Sequence, residues 1–181
     1  MSLGPSDVVA GRYELLRALG GGAVGRVFLA LDRHLSRQVV IRVVEPGNPE
    51  EAAALLEEGR LMTSAQFDSL QAVPVLVDGA LPGGGAYVVS ELVDGVPLEE
   101  VVRRRAPLPP RDARRLALEM VDAGLAVRRR ESGRGDVVVA SAVVQPDGHL
   151  RVTRFARAAG PAPGGGDPAV VAVGDALDAM T

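Results

Sequence analysis

The chain has no lysine, no cysteine and no tryptophan among its 181 residues. All twenty of its basic residues are arginine, so every lysine mechanism is excluded and an arginine at any one position is weaker evidence of a local requirement. The absence of cysteine removes a disulfide framework, a thiol nucleophile and a thiolate metal site, and leaves the redox compartment unmarked. Two histidines, His34 and His149, are too few for an ordinary zinc centre. Long apolar runs are also missing. The longest, such as Val137 to Val144, fall far below the roughly 20 residues that span a bilayer, so this segment is expected not to cross one. Met1-Ser2-Leu3-Gly4-Pro5 has neither a basic start nor a continuous apolar core, which argues against a secretory signal and for the cytoplasm. A formal net charge of −3 argues against nonspecific binding of nucleic acid.

What is present is a pattern of short strands followed by helices. Leu15 to Leu19, Val27 to Leu31 and Val39 to Val44 read as three antiparallel strands, the first two joined by Gly20-Gly21-Gly22-Ala23-Val24-Gly25. Without Cβ atoms, such a bend can lie close to a phosphate and turn its N–H groups inward. Glu50 to about Ser64 has a helical apolar pattern interrupted by Gly59. Val73 to Asp78 and Ala86 to Ser90 complete an expected five-stranded sheet, with Gly79 to Gly85 as the turn between them. Residues 1–11 are expected to form a flexible leader.

The second half reads differently. Leu98 to Arg105 is a short helix, and Pro109-Pro110 opens the strongest helix, Arg111 to about Arg130, whose Leu116, Ala117, Met120, Val121 and Leu125 recur at helical spacing. Val137 to Ala140, Val143-Val144 and Leu150 to Thr153 are short strands, the last two joined at Asp147-Gly148. Ala156 to Asp167 reads as a loop and Ala169 to Met180 as a final helix.

This order resembles a protein kinase of the bacterial serine/threonine type over almost the whole chain. Gly20-x-Gly22-x-x-Gly25-x-Val27, between two strands, resembles the loop that covers the nucleotide. Val39-Val40-Ile41-Arg42 is similar to the strand that ends in the family's lysine, Glu58 to the helix glutamate that pairs with it, and Ser90-Glu91-Leu92-Val93 to the hinge. The resemblance implies an α+β, bilobal, kinase-like fold. It has a five-stranded antiparallel first lobe with one helix at 12–93, and at 94–181 a shortened, mainly helical second lobe without the usual activation and substrate-binding segment. Gly20, Gly22, Gly25, Val27, Arg42, Glu91 and Val93 would then outline a nucleotide cleft.

Departures from the family pattern are concentrated in the second half. Arg134 to Ser141 falls on the catalytic loop and Arg154-Phe155-Ala156 on the metal-binding Asp-Phe-Gly, so that only Asp136 survives of their polar residues. Ser141 and Arg154 would stand where two magnesium ligands belong, and magnesium is not expected to bind. Arg42 could reach a phosphate or pair structurally with Glu58, but its guanidinium does not replace an ammonium neutrally. Asp136, the catalytic base by resemblance, lacks the family's charged neighbours, with Gly135 and Val138 in their places, and is read as a turn residue capping local N–H groups. Val40 adds bulk where the resemblance implies a small alanine over the adenine, and a pocket filled by Val27, Val40, Val89 and Val143 would oppose nucleotide binding. From Phe155 to Met180 there is no serine, threonine or tyrosine to phosphorylate.

Together these features resemble an actinobacterial pseudokinase, similar to the intracellular domain attached to MviN-type lipid-flippase-like membrane proteins. The resemblance implies no catalytic residue, with Arg42, Glu58, Asp136, Ser141 and Arg154 as vestigial positions. It also implies a regulatory role linked to the cell envelope and a protein partner such as a forkhead-associated domain or a Ser/Thr kinase, with membrane tethering beyond residue 181. ATP binding without turnover and residual phosphotransfer are the alternatives. The clusters Arg103-Arg104-Arg105, Arg111, Arg114-Arg115 and Arg128-Arg129-Arg130 form either a solvated face or a docking site for an anionic partner.

Overall fold

The computed structural model describes residues 3–21, 25–130 and 137–157. The chain divides into two compact units, Met1–Arg60 with Pro74–Leu92 and Leu61–Val73 with Val93–Thr181, each taken over its described residues. The architecture is bilobal and kinase-like, with a multi-stranded antiparallel sheet and one helix in the first lobe and a mainly helical second lobe.

The first unit is built on strands β1 (Val8–Val9), β2 (Tyr13–Gly21), β3 (Arg26–Asp32), β4 (Arg37–Val44), β5 (Val75–Leu81) and β6 (Gly85–Glu91). They form one antiparallel sheet in the order β1-β2-β3-β4-β6-β5. Alternation sends Tyr13, Leu15, Phe28, Ala30, Val39, Ile41, Val43 and Val89 into one core. The sheet is strongly curled, because Tyr13 on β2 and Tyr87 on β6, which are not neighbouring strands, bring their rings to 6.1 Å. On the other face, helix α1 (Pro49–Ala65) lays Ala52, Leu55 and Leu56 against Val44, Ala86 and Val88. Its start is capped by the Asn48 side chain, which accepts the Glu51 amide at 3.2 Å. Gly59, an oddity in a helical pattern, lets α1 approach the sheet, since a Cβ there would meet Val88 Cγ2 at 3.0 Å.

The sheet has six strands, one more than the sequence suggests. The extra strand is Val8–Val9, inside the expected leader, which turns back at Ala10 and Gly11 (φ 51° and 66°) to pair with Tyr13 and Glu14. Two residues and a left-handed alanine give no periodicity to read. The fifth strand is also displaced from Val73–Asp78 to Val75–Leu81. Pro74 has no N–H to donate, and Val73 instead gives its amide to Val152 in the second unit's own fold. Gly79 lies within the strand rather than the turn because the Tyr87 ring packs on it, 3.0 Å from where a Cβ would stand.

In the second unit, helices α2 (Leu98–Arg105) and α3 (Pro110–Arg130) accompany a three-stranded sheet, β7 (Val96–Pro97), β8 (Val137–Val144) and β9 (Leu150–Arg157), in that order. The buried stripe of α3, with Leu116, Ala117, Met120, Ala123 and Val127, packs on β8 and β9, where Leu150, Val152 and Phe155 are buried. Glu119 ties helix to sheet, because its carboxylate accepts the Leu150 amide and His149 Nδ1–H, both at 2.6 Å. The two short strands expected at Val137–Ala140 and Val143–Val144 are one strand, whose register with β9 shifts on either side of Ser141. Strand β9 runs on to Arg157, into the expected loop. The rest of that loop and the expected helix at Ala169–Met180 lie outside the described residues.

Among the described residues no helix is long and apolar enough to cross a membrane.

Candidate functional site

The first unit holds the glycine-rich hairpin and the arginine strand. Gly20 lies among the last residues of β2, which ends at Gly21, while Gly22 lies outside the described residues. Gly25 adopts φ +74°, and a Cβ on it would stand 2.7 Å from the Val43 carbonyl oxygen and 3.0 Å from Val44 Cγ2. The third glycine of the motif therefore has a steric reason within the sheet, independent of any phosphate. Arg26, the next residue, anchors the stem of the hairpin. Its guanidinium donates to the Leu3 carbonyl at 2.6 Å and lies 4.9 Å above the Phe28 ring.

Val27 sits opposite Arg42 across β3 and β4. The Arg42 guanidinium forms an ion pair with Glu58 of α1, and the two side chains are only 14% and 7% exposed. Helix and strand positions that are 16 residues apart in sequence thus meet as one shielded pair. Val40 shares the sheet face of Arg42 by alternation, but Val89 does not join it. Val89 pairs with Ile41 and is fully buried in the core on the other face, so it is corrected from a pocket residue to a core residue. Glu91 ends β6 exposed, its amide given to the Pro74 carbonyl at 3.1 Å, and Val93 begins the long segment of the second unit.

In the second unit, Ser141 and Arg154 are direct partners across β8 and β9. Thr153 donates its hydroxyl to Ser141 Oγ at 3.2 Å, and burial pulls the Arg154 guanidinium below its ordinary pKa. Arg154-Phe155-Ala156 is part of a strand, with Phe155 fully buried. Residues 137–141, at the end of the catalytic-loop resemblance, form the strand beside it. Asp136 lies outside the described residues. A hydroxyl already engaged by its neighbour and a guanidinium do not fit a divalent cation, which takes carboxylate and carbonyl oxygens. Among the described residues, no three His, Asp or Glu side chains gather as a metal site. A cavity of about 200 Å³ lined by Pro97, Leu98, Glu99, Met120, Val139 and Ser141 lies within this unit. It falls below the roughly 300 Å³ of an ordinary ligand pocket.

A further charged centre was not singled out in the sequence. Asp32, 1% exposed at the end of β3, receives a two-pronged hydrogen bond from Arg12 at 2.7 and 2.8 Å and the amides of His34 and Leu35. Arg12, foremost, and these amides hold its carboxyl down at about 2. The Asp32-Arg33-His34 turn after an apolar strand was its available signal.

Comparison with known proteins agrees with this geometry. The chain is 26% identical over 147 residues to the serine/threonine-protein kinase PrkC of Bacillus subtilis, covering 81% of this chain and 23% of that protein. It is 30% identical over 158 residues to the serine/threonine-protein kinase PknA of Mycobacterium tuberculosis, covering 81% of this chain and 35% of that protein. The chain thus spans about a third or less of these two relatives. A solved structure described as PpkA-294 apo form superposes with a TM-score of 0.66 at 18% identity, over 84% of this chain and 60% of that one, a likeness of fold. The sequence model of the phosphotransferase enzyme family matches residues 15–162, and the chain belongs to that family.

Proposed function

We propose that the chain is a catalytically inactive, kinase-like regulatory module that acts by binding a protein partner. The observation that carries this reading is the pairing of Ser141 with Arg154 inside the β8–β9 hairpin. Phosphoryl transfer needs cations held against the phosphates and little covalent chemistry from the protein, so the metal positions are the decisive ones. Here one is a hydroxyl bonded to Thr153 and the other carries a positive charge on a ladder-bound strand. The ion pair of Arg42 with Glu58 does not separate the readings, because an active kinase also forms a cation–glutamate pair at this place. In this reading Asp136 does not serve as a catalytic base.

The partner class follows from the resemblance to actinobacterial pseudokinases: a forkhead-associated domain or a Ser/Thr kinase, at the cytoplasmic face of a membrane to which the chain is tethered beyond residue 181. Incubation with γ-labelled ATP and Mg²⁺ or Mn²⁺ is expected to yield no labelled product. Metal-dependent transfer that disappears in Asp136→Asn would overturn the proposal.

A second reading, nucleotide held without turnover, rests on Arg154, a cation standing on β9 where the family places a metal ligand, whose charge would take up phosphate charge without metal. It predicts that ATP raises the melting temperature equally with Mg²⁺ and with EDTA, and that Arg154→Ala removes the shift.

A further inference from the structure

We infer that the second unit carries a docking surface for an acidic protein segment that also bears apolar side chains. On α3, Arg111, Arg114, Leu118 and Asp122 follow one another at helical spacing and all are exposed, Leu118 by 59%. The opposite stripe of the same helix is buried, so this stripe is the outward face. Beside its Asp122 turn runs the segment after α1, joined to it by Ser69, whose hydroxyl lies 3.3 Å from Asp122 Oδ2. That contact sets Phe67 and Leu70, 68% and 89% exposed, next to the stripe. A basic end and an apolar end are thus separated by about 10 Å, the rise of two helical turns.

Between residues 103 and 115 the chain has six arginines and one acid, Asp112, although its net charge is −3. Arg104 is bound by Glu100 and Arg115 by Asp112, whereas Arg111 and Arg114 make no ion pair among the described residues. Arg103 to Arg105 complement the C-terminal end of α2, but Arg111 and Arg114 lie near the N-terminal end of α3, where cations oppose the helix dipole. Exposed Phe and Leu beside unpaired Arg is the composition of an interface core with a charged rim. The guanidinium charge selects carboxylates in the partner. Asp122, whose Oδ2 lies 3.3 Å from the Ser69 hydroxyl, adds an acceptor that a peptide N–H can meet, a directional contact suited to a peptide.

The test uses the full chain against an array of synthetic peptides built from Asp, Glu, Leu, Phe and Gly, with a matched array carrying Asn and Gln instead. Vesicles of equimolar phosphatidylcholine and phosphatidylserine form the third arm. Acidic apolar peptides are expected to bind, more weakly as salt rises. Arg111→Glu with Arg114→Glu, and separately Phe67→Ser with Leu70→Ser, should each weaken binding by about tenfold or more. All four positions are exposed, and unchanged circular dichroism will show that these variants fold. The inference is overturned if no peptide binds, if the amide array binds equally, if either double variant binds normally, or if only the vesicles are bound. None of these readouts depends on phosphoryl transfer.

Discussion

Arg42 on β4 and Glu58 on α1 form an ion pair that is almost entirely shielded from water. It adds a polar tie between helix and sheet beside the apolar contacts of Ala52 and Leu55. A shielded pair costs desolvation of both charges, so its removal and its replacement have opposite consequences. Glu58→Ala or Arg42→Ala alone is expected to lower unfolding free energy by about 3 kcal/mol, because each leaves a charge without its partner. Arg42→Met combined with Glu58→Leu should recover most of that loss. Urea denaturation followed by circular dichroism, read as a double-mutant cycle, checks both.

Asp32 predicts an acid limb of stability. Its folded-state pKa is depressed from 3.8 to about 2, foremost by the Arg12 hydrogen bonds. Its contribution is therefore present above pH 3.8 and is lost as pH falls through about 2. Asp32→Asn should flatten that part of the stability profile, measured by denaturation at a series of acidic pH values.

Gly25 and Gly21 separate backbone need from motif membership. Gly25→Ala places a methyl 2.7 Å from the Val43 carbonyl at positive φ, and should destabilise by about 2 kcal/mol. Gly21→Ala meets nothing nearer than 3.8 Å and should change stability by less than about 1 kcal/mol. Midpoints of urea denaturation compare the two.

Glu119 predicts a local effect in the second unit. Glu119→Ala leaves the Leu150 amide without its acceptor and should cost about 1–3 kcal/mol. Glu119→Gln retains an acceptor and should cost less. His149→Ala removes only an exposed partner and should cost under about 1 kcal/mol. Hydrogen exchange at the Leu150 amide reads the difference directly.

The elements legible in the sequence were those with a period. The β-branched run from Val39 to Val44 and the helical spacing from Leu116 to Met120 placed β4 and α3, the first covered by the sheet core on one face and α1 on the other, the second with one buried stripe. Strand β1 was illegible because two residues have no period. The start of β5 differs because Val73, buried in the second unit, gives its backbone amide to the Val152 carbonyl, a bond set by the tertiary fold. At the candidate site, the residue types at Ser141 and Arg154 were readable, but their pairing was not. Val137 to Ser141 was read both as a strand and as the end of a catalytic loop, and the ladder with β9 decides for the strand. Val89 was assigned to a pocket by chemistry alone, while its face is fixed by register with Ile41. Phe67 and Leu70, in a linker between elements, had no pattern to mark them as exposed.

The contact between Tyr13 and Tyr87 has a consequence for how the chain can be observed. These are its only tyrosines and there is no tryptophan, so emission excited at wavelengths that spare phenylalanine arises wholly from this one pair. Both residues belong to the first unit. Intrinsic fluorescence is therefore a built-in reporter of the curled sheet, blind to the second unit. A lag between that optical signal and the loss of helical ellipticity would reveal the two units melting separately, without any label having been added.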